Sequence, residues 1–154
     1  MTVRVSAKAD YAVRATIELA ASDAAGPVPA ESLAQAQQIP HRFLEAILRD
    51  LRREGIVASR RGAGGGYVLA RPAREVTVAD IVRAVDGPLV FVRDERPSDL
   101  DYEGAASALL DVWVALRVNV RAVLEDVTVA DLARGTVPDA VQELTDAEGA
   151  WRNP

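Results

Sequence analysis

The chain has no cysteine at all. Thiolate is the soft ligand that holds iron–sulfur clusters, so a thiolate-held cluster, a disulfide and a thiol redox switch are all excluded. It has a single histidine, His41, and no second residue at metal-ligand spacing to pair with it. It carries no nucleophile–base–acid group with supporting context and no cofactor loop, so it reads as something other than an enzyme. No apolar run approaches 20 residues, which argues against a membrane span. The start lacks an apolar stretch after basic residues, so no signal peptide is expected and the expected location is the cytoplasm. Lysine is almost absent too. Lys8 stands alone against seventeen arginines, so this chain uses arginine wherever positive charge suffices.

What remains is ample for a folded core. Of 154 residues, 49% are apolar, which fits one domain or a small head with a helical extension. The net charge of −5 at first argues against a polyanionic partner. Its distribution argues otherwise. Residues 1–75 hold 11 Arg or Lys against 8 Asp or Glu, whereas residues 76–154 hold 7 against 15. The first half is modestly basic and the second strongly acidic.

The chain is organised around Gln38 to Arg71. Phe43, Leu44, Ile47, Leu48 and Leu51 form one apolar helical stripe, with His41, Arg42, Glu45, Ala46 and Arg49 opposite. Pro40 suits the first turn, and Gly55 suits a left-handed stop. An ordinary surface helix with a Glu45–Arg49 pair would satisfy the same pattern. The residues that follow favour a reading helix instead. Ile56–Ser59 reads as a strand and Tyr67–Leu69 as its partner, joined by Arg60-Arg61-Gly62-Ala63-Gly64-Gly65-Gly66. Glycines there remove side chains where a backbone comes close to something, and two arginines bring positive charge to the tip. Apolar strands flank the turn directly, unlike a flexible linker. The run also lacks the GK[ST] ending of a nucleotide-binding loop. Together these are the second half of a winged helix-turn-helix.

With those residues in view the sequence resembles the Rrf2 family of bacterial transcription regulators, over about residues 1–135. The matching pieces are SAKADYAVRA, IPHRFLEAILRDLRREGIV, RRGAGGGYVLARP, VTVADIVRAVDGP and LEDVTVADL, the wing being the most specific. The resemblance implies a mainly α fold with a small β-hairpin wing: a winged helix-turn-helix head plus a long dimerisation helix. It also implies a basic residue on a DNA phosphate near the start of the first helix, which Lys8 matches, and supports Glu45 and Arg61 as contacts. Sensor members of the family carry three cysteines between the fourth helix and the long helix. Here that segment has none. Gln38 stands where the family usually has glycine, and Pro40 where it often has serine.

The rest of the chain then falls into place. Ala7–Ala21 is expected as a helix capped by Ser6, Ala24–Pro29 as a turn and Glu31–Gln37 as the first helix of the pair. Thr77 to Asp80 reads as a capping box opening a helix that Gly87-Pro88 stops. The pentapeptide VTVAD recurs at 127–131, taken as two uses of one cap. Leu89–Tyr102 is expected as a polar loop with an apolar opening. Its carboxylates Asp94, Glu95, Asp99, Asp101 and Glu103 suit a hard cation less well than a solvated loop. Ala105–Asp126 is the long helix, with Leu109, Trp113, Leu116, Val120 and Val123 as a dimer seam. Apolar residues on its other sides require burial against the head as well. The expected division is residues 1–88 as the DNA-binding head, 89–135 as the loop and dimerisation helix, and 136–154 as a loose tail.

Two readings from different classes follow. The first is a DNA-binding regulator, most simply a repressor, meeting a palindromic operator as a homodimer. Its expected DNA contacts are Lys8, His41, Arg42, Glu45, Arg49, Arg60, Arg61, Gly64 and Tyr67. The second is a protein-interaction module of the same fold, controlled by a partner protein or small molecule. An effector pocket is expected between the loop and the long helix, around Phe91, Tyr102 and Trp113, with a plain packed core as the simpler alternative. No cofactor is expected.

Overall fold

The computed structural model describes residues 3–154. Helix α1 (Ala7–Ala21) is its hub. The Ser6 hydroxyl accepts the Ala9 amide at 2.9 Å, as expected of its N-cap. Ala9, Ala12, Ala15 and Leu19 are buried, and such small side chains let several helices approach one axis. Thr16, also buried, satisfies its hydroxyl by donating to the Ala12 carbonyl at 2.6 Å. Helices α2 (Ala30–Gln37) and α3 (His41–Arg53) pack on α1, and the turn between them passes through Gln38 at φ 53°, ψ 46°. The left-handed turn is therefore made by a non-glycine residue, at the position where the resembling family usually has glycine. Arg14 of α1 donates to the Gln37 carbonyl at 2.9 Å, placing a cation at the negative end of α2.

Leu44, Ile47, Leu48 and Leu51 of α3 are buried, and Gly55 ends the helix at φ 71°. Strands β1 (Val57–Arg60) and β2 (Gly66–Leu69) pair antiparallel, with Val57 opposite Leu69 and Arg60 opposite Gly66. Ile56, expected to open the first strand, instead drops into the core.

Helix α4 (Val78–Asp86) opens with the expected reciprocal capping box between Thr77 and Asp80. The repeat of that cap, Thr128 and Asp131, opens α6 (Val129–Ala133). The structure adds that the two caps are each other's partners. Thr77 and Thr128 form an antiparallel bridge, Val78 donating to the Val127 carbonyl at 3.0 Å and Val129 to the Val76 carbonyl at 2.8 Å. Val129 lies in the same core cluster as Leu33, Ile47 and Ile81. The head thus takes in residues well beyond 88, and residues 88–126 are an excursion that leaves it and returns.

Two expectations about that excursion and the tail need correction. The segment after α4 is more than a polar loop, because Val90, Val92, Pro97 and Leu100 are buried. Val92 and Glu95 exchange backbone hydrogen bonds at 2.9 Å around Arg93 and Asp94, both at positive φ. Among the described residues no three His, Asp or Glu side chains gather as a cation site would require. The long helix α5 (Leu109–Asp126) follows, starting four residues later than expected. The tail expected to be loose carries helix α7 (Asp139–Asp146), whose buried face is empty. Trp151 beyond it is 84% exposed, its indole N–H donating to the Thr145 carbonyl at 2.8 Å. No described helix is long and apolar enough to cross a membrane.

Candidate nucleic-acid interface

Because the apolar stripe of α3 is consumed by the core, its opposite face is held outward. His41, Arg42, Glu45 and Arg49 are all exposed on it, around the half-buried Ala46. The Glu45–Arg49 pair of an ordinary surface helix is not formed. Neither Arg42 nor Arg49 has a carboxylate partner among the described residues. The N-terminus of α3 has no side-chain cap and no acid in its first turn. Its free amides and dipole, with His41 and Arg42 beside them, make an end suited to a phosphate. That end is anchored by aromatic packing. The Arg42 guanidinium lies 5.1 Å from the Phe43 ring centre, Phe43 lies 5.4 Å from Tyr11, and Arg14 stacks 4.7 Å over Tyr11.

The wing carries Arg60 and Arg61 exposed, again without carboxylate partners among the described residues. Its glycines divide by purpose. Gly64, exposed at φ 77°, has open space around it. A Cβ at Gly65 would lie 2.4 Å from the Arg60 carbonyl oxygen, and one at Gly66 would lie 2.4 Å from the Val28 carbonyl. The close approach read from the glycine run is therefore partly internal. Val28 and Tyr67 exchange hydrogen bonds at 2.9 and 2.8 Å, so the segment expected to be a mere turn supplies a third rung to the wing. Tyr67 is half-buried there rather than presented. A signal existed: Val28 precedes Pro29, which biases a residue toward extended backbone.

Lys8 occupies a different place from the one expected. Its ammonium is 2.5 Å from the Asp50 carboxylate, and Asp50 is only 8% exposed. Lys8, then Arg53 and Arg49, hold the Asp50 carboxyl below the usual carboxylate range against the opposing effect of burial. Lys8 is thus a clamp between α1 and α3 rather than a free surface cation, and Asp50 is a residue that the helical pattern did not single out.

On α5 the expected seam is half-used within the chain. Trp113, Leu116, Val120 and Val123 are half-buried and Leu109 is exposed. The most exposed apolar side chains of the helix are Val112 and Val118, each 54% exposed, so the open face is rotated away from the seam toward them. The aromatic pocket is not formed. Phe91 is 41% exposed, and the Tyr102 hydroxyl accepts the Trp113 indole N–H at 3.2 Å, joining loop to helix. The cavity found nearby is lined by none of the three.

Comparison with known proteins bears on this geometry. The model of the Rrf2 family, described as an iron-dependent transcriptional regulator, matches residues 5–135. A Mycobacterium tuberculosis protein named as a candidate HTH-type transcriptional regulator, Rv1287, is 50% identical over 144 residues, 94% of this chain and 89% of that one. The solved structure of CymR, the global cysteine regulator of Bacillus subtilis, is similar at TM-score 0.75 and 35% identity, covering 88% of this chain and 99% of that one. IscR of T. potens is similar at TM-score 0.72 and 33% identity, covering 97% and 96%. The residues here do not fit an iron–sulfur cluster held by thiolates, since the chain has no cysteine and its one histidine lies on the exposed face of α3. The likeness in sequence, the head with its wing and the outward face of α3 agree, and the chain belongs to the Rrf2 family of DNA-binding, helix-turn-helix transcriptional regulators.

Proposed function

We propose that the chain is a cytoplasmic repressor that grips a palindromic operator as a homodimer. One observation carries this reading: exposed arginines without partners on α3 and the wing stand on the same chain as an 18-residue helix that buries no residue. The first needs a polyanion and the second needs another apolar surface. Val112 and Val118 leave apolar surface open on α5, with Leu109 exposed at its start, and a second copy supplies a matching helix of the same length. Two heads joined this way present two α3 helices to successive major grooves, about 34 Å apart. His41, Arg42, Glu45 and Arg49 then face base edges and phosphates, with Glu45 placed to accept from a cytosine amine. Arg60 holds phosphate, Arg61 enters the adjacent minor groove and Gly64 lets the tip approach. Tyr67 acts by holding the wing to Val28. A dimer lying across a promoter excludes polymerase, which is repression in its simplest form.

Duplexes selected from a random pool, followed by anisotropy titration, test this. Selection should yield an inverted repeat, and affinity should fall steeply with salt as counterions are released. Arg61→Ala should weaken the selected site by about 1–3 kcal/mol. Sedimentation should give twice the chain mass. Failure to bind any duplex at low salt would move the chain to the alternative class, a protein-interaction module.

A further inference from the structure

The acidic half of the chain keeps most of its positive charge in one place. Residues 76–154 contain seven arginines, and four of them, Arg83, Arg96, Arg117 and Arg121, line a single cavity of about 470 Å³. The cavity lies between the end of α4, the Gly87–Pro97 segment and α5, within the size range of small-ligand sites, about 300–1,000 Å³. No carboxylate lines it. Glu125, just outside, accepts from both Arg83 and Arg121. Arg96 and Arg117 have no carboxylate partner among the described residues, and the Arg117 Nε is shut off from solvent without a hydrogen-bond acceptor. Pro88, Leu89, Val90 and Pro97 supply apolar wall. Guanidiniums forced together around a partly apolar space, one with an unmet buried donor, are arranged for a ligand that brings the missing negative charge.

We infer that this cavity binds a small organic oxyanion, a short apolar body bearing two or more negative charges as carboxylate or phosphate, through Arg96 and Arg117 first and Arg83 and Arg121 in support. Such a ligand would brace α4, which packs on α1 and α3, against α5. It would therefore alter how the head sits on the helix that joins two copies. That regulatory consequence rests on the function proposed above, whereas the binding does not.

Calorimetric titration of the full chain without DNA tests the binding, using citrate, 2-oxoglutarate, phenyl phosphate and glycerol 3-phosphate, with chloride at matched ionic strength as control. At least one organic probe should bind saturably, at least tenfold tighter than chloride, and carboxylate against phosphate probes identify the source. Arg117→Gln and Arg96→Gln should each weaken that binding about tenfold or more. Glu125→Gln should tighten it severalfold, since it frees two guanidiniums, a gain that loss of structure cannot mimic. Arg61→Ala, on the wing, should leave it unchanged. No saturable binding, binding insensitive to Arg117→Gln, or binding abolished by Arg61→Ala would each overturn the inference. DNA affinity with and without the bound probe is then read separately. A chain that binds the probe but no duplex keeps this site and loses the repressor reading, and the reverse result loses only this site.

Discussion

Helices α3 and α5 are both long and both rich in apolar residues, yet they end differently. α3 buries Leu44, Ile47, Leu48, Asp50 and Leu51, whereas no residue of α5 is more than half-buried. The apolar residues of α3 lie on one stripe, so one set of neighbours within the chain completes it. Those of α5 lie on several sides, and the head together with the Leu89–Tyr102 segment reaches only one. A helix apolar around most of its circumference is finished only when it is covered from more than one direction. The contrast teaches that α3 is completed by its own chain, whereas α5 keeps apolar surface that its own chain leaves uncovered.

The sharpest break of that comparison is a pair of substitutions. Leu51→Ala should cost about 2–5 kcal/mol of head stability, because it opens a cavity in a filled core. Val118→Asp should leave thermal stability of the isolated chain within about 0.5 kcal/mol but shift the sedimentation coefficient to that of a single chain. Equal melting losses for both would show that α5 is already packed. Next, Gly66→Ala drives a methyl group into the Val28 carbonyl. It should cost about 1–3 kcal/mol, lower DNA affinity and leave sedimentation unaltered.

Lys8→Ala comes third. It strips the partner from a nearly buried carboxylate and should destabilise the head by about 1–3 kcal/mol at neutral pH. The pH dependence has a definite sign. The Asp50 carboxyl is depressed in the folded state, so its contribution is complete above the ordinary value of 3.8 and disappears as pH falls through the lower folded value. Urea midpoints of the parent chain should fall across that acid window, and the Lys8→Ala chain should show a shallower fall. The smallest effect expected is Gln38→Gly. A non-glycine residue at φ 53° is strained, so glycine should recover up to about 1 kcal/mol, read as a small rise in Tm.

Much of the head is legible in the sequence, and for a shared reason. Ser6 capping α1, Thr77 and Asp80 opening α4 and Gly55 ending α3 all act over four residues or fewer. Residue type and spacing carry such signals directly. The candidate interface was legible to the same depth: the outward face of α3 follows once its apolar stripe is known. Lys8 was not, because a lone lysine on a helix looks the same whether it meets solvent or Asp50, 42 residues away. The arginine cavity was hidden for a similar reason. Arg83, Arg96, Arg117 and Arg121 are scattered over 39 positions and look like ordinary surface charge until α4 and α5 are brought side by side. Helix α7 was missed because its apolar stripe, Ala140, Val141 and Leu144, is only three residues long.

The residues alone determined the order of the head's helices and hairpin, the caps, the arginine-tipped turn and the absence of thiolate ligands, since each depends on neighbours along the chain or on composition. Only the tertiary structure decided that the two VTVAD caps pair with each other, that Val28 completes the wing, that Lys8 pairs with Asp50 and which side of α5 stays open. Those outcomes are set by which distant segments pack together, and packing is settled by the shape of the whole core rather than by any single stretch of it.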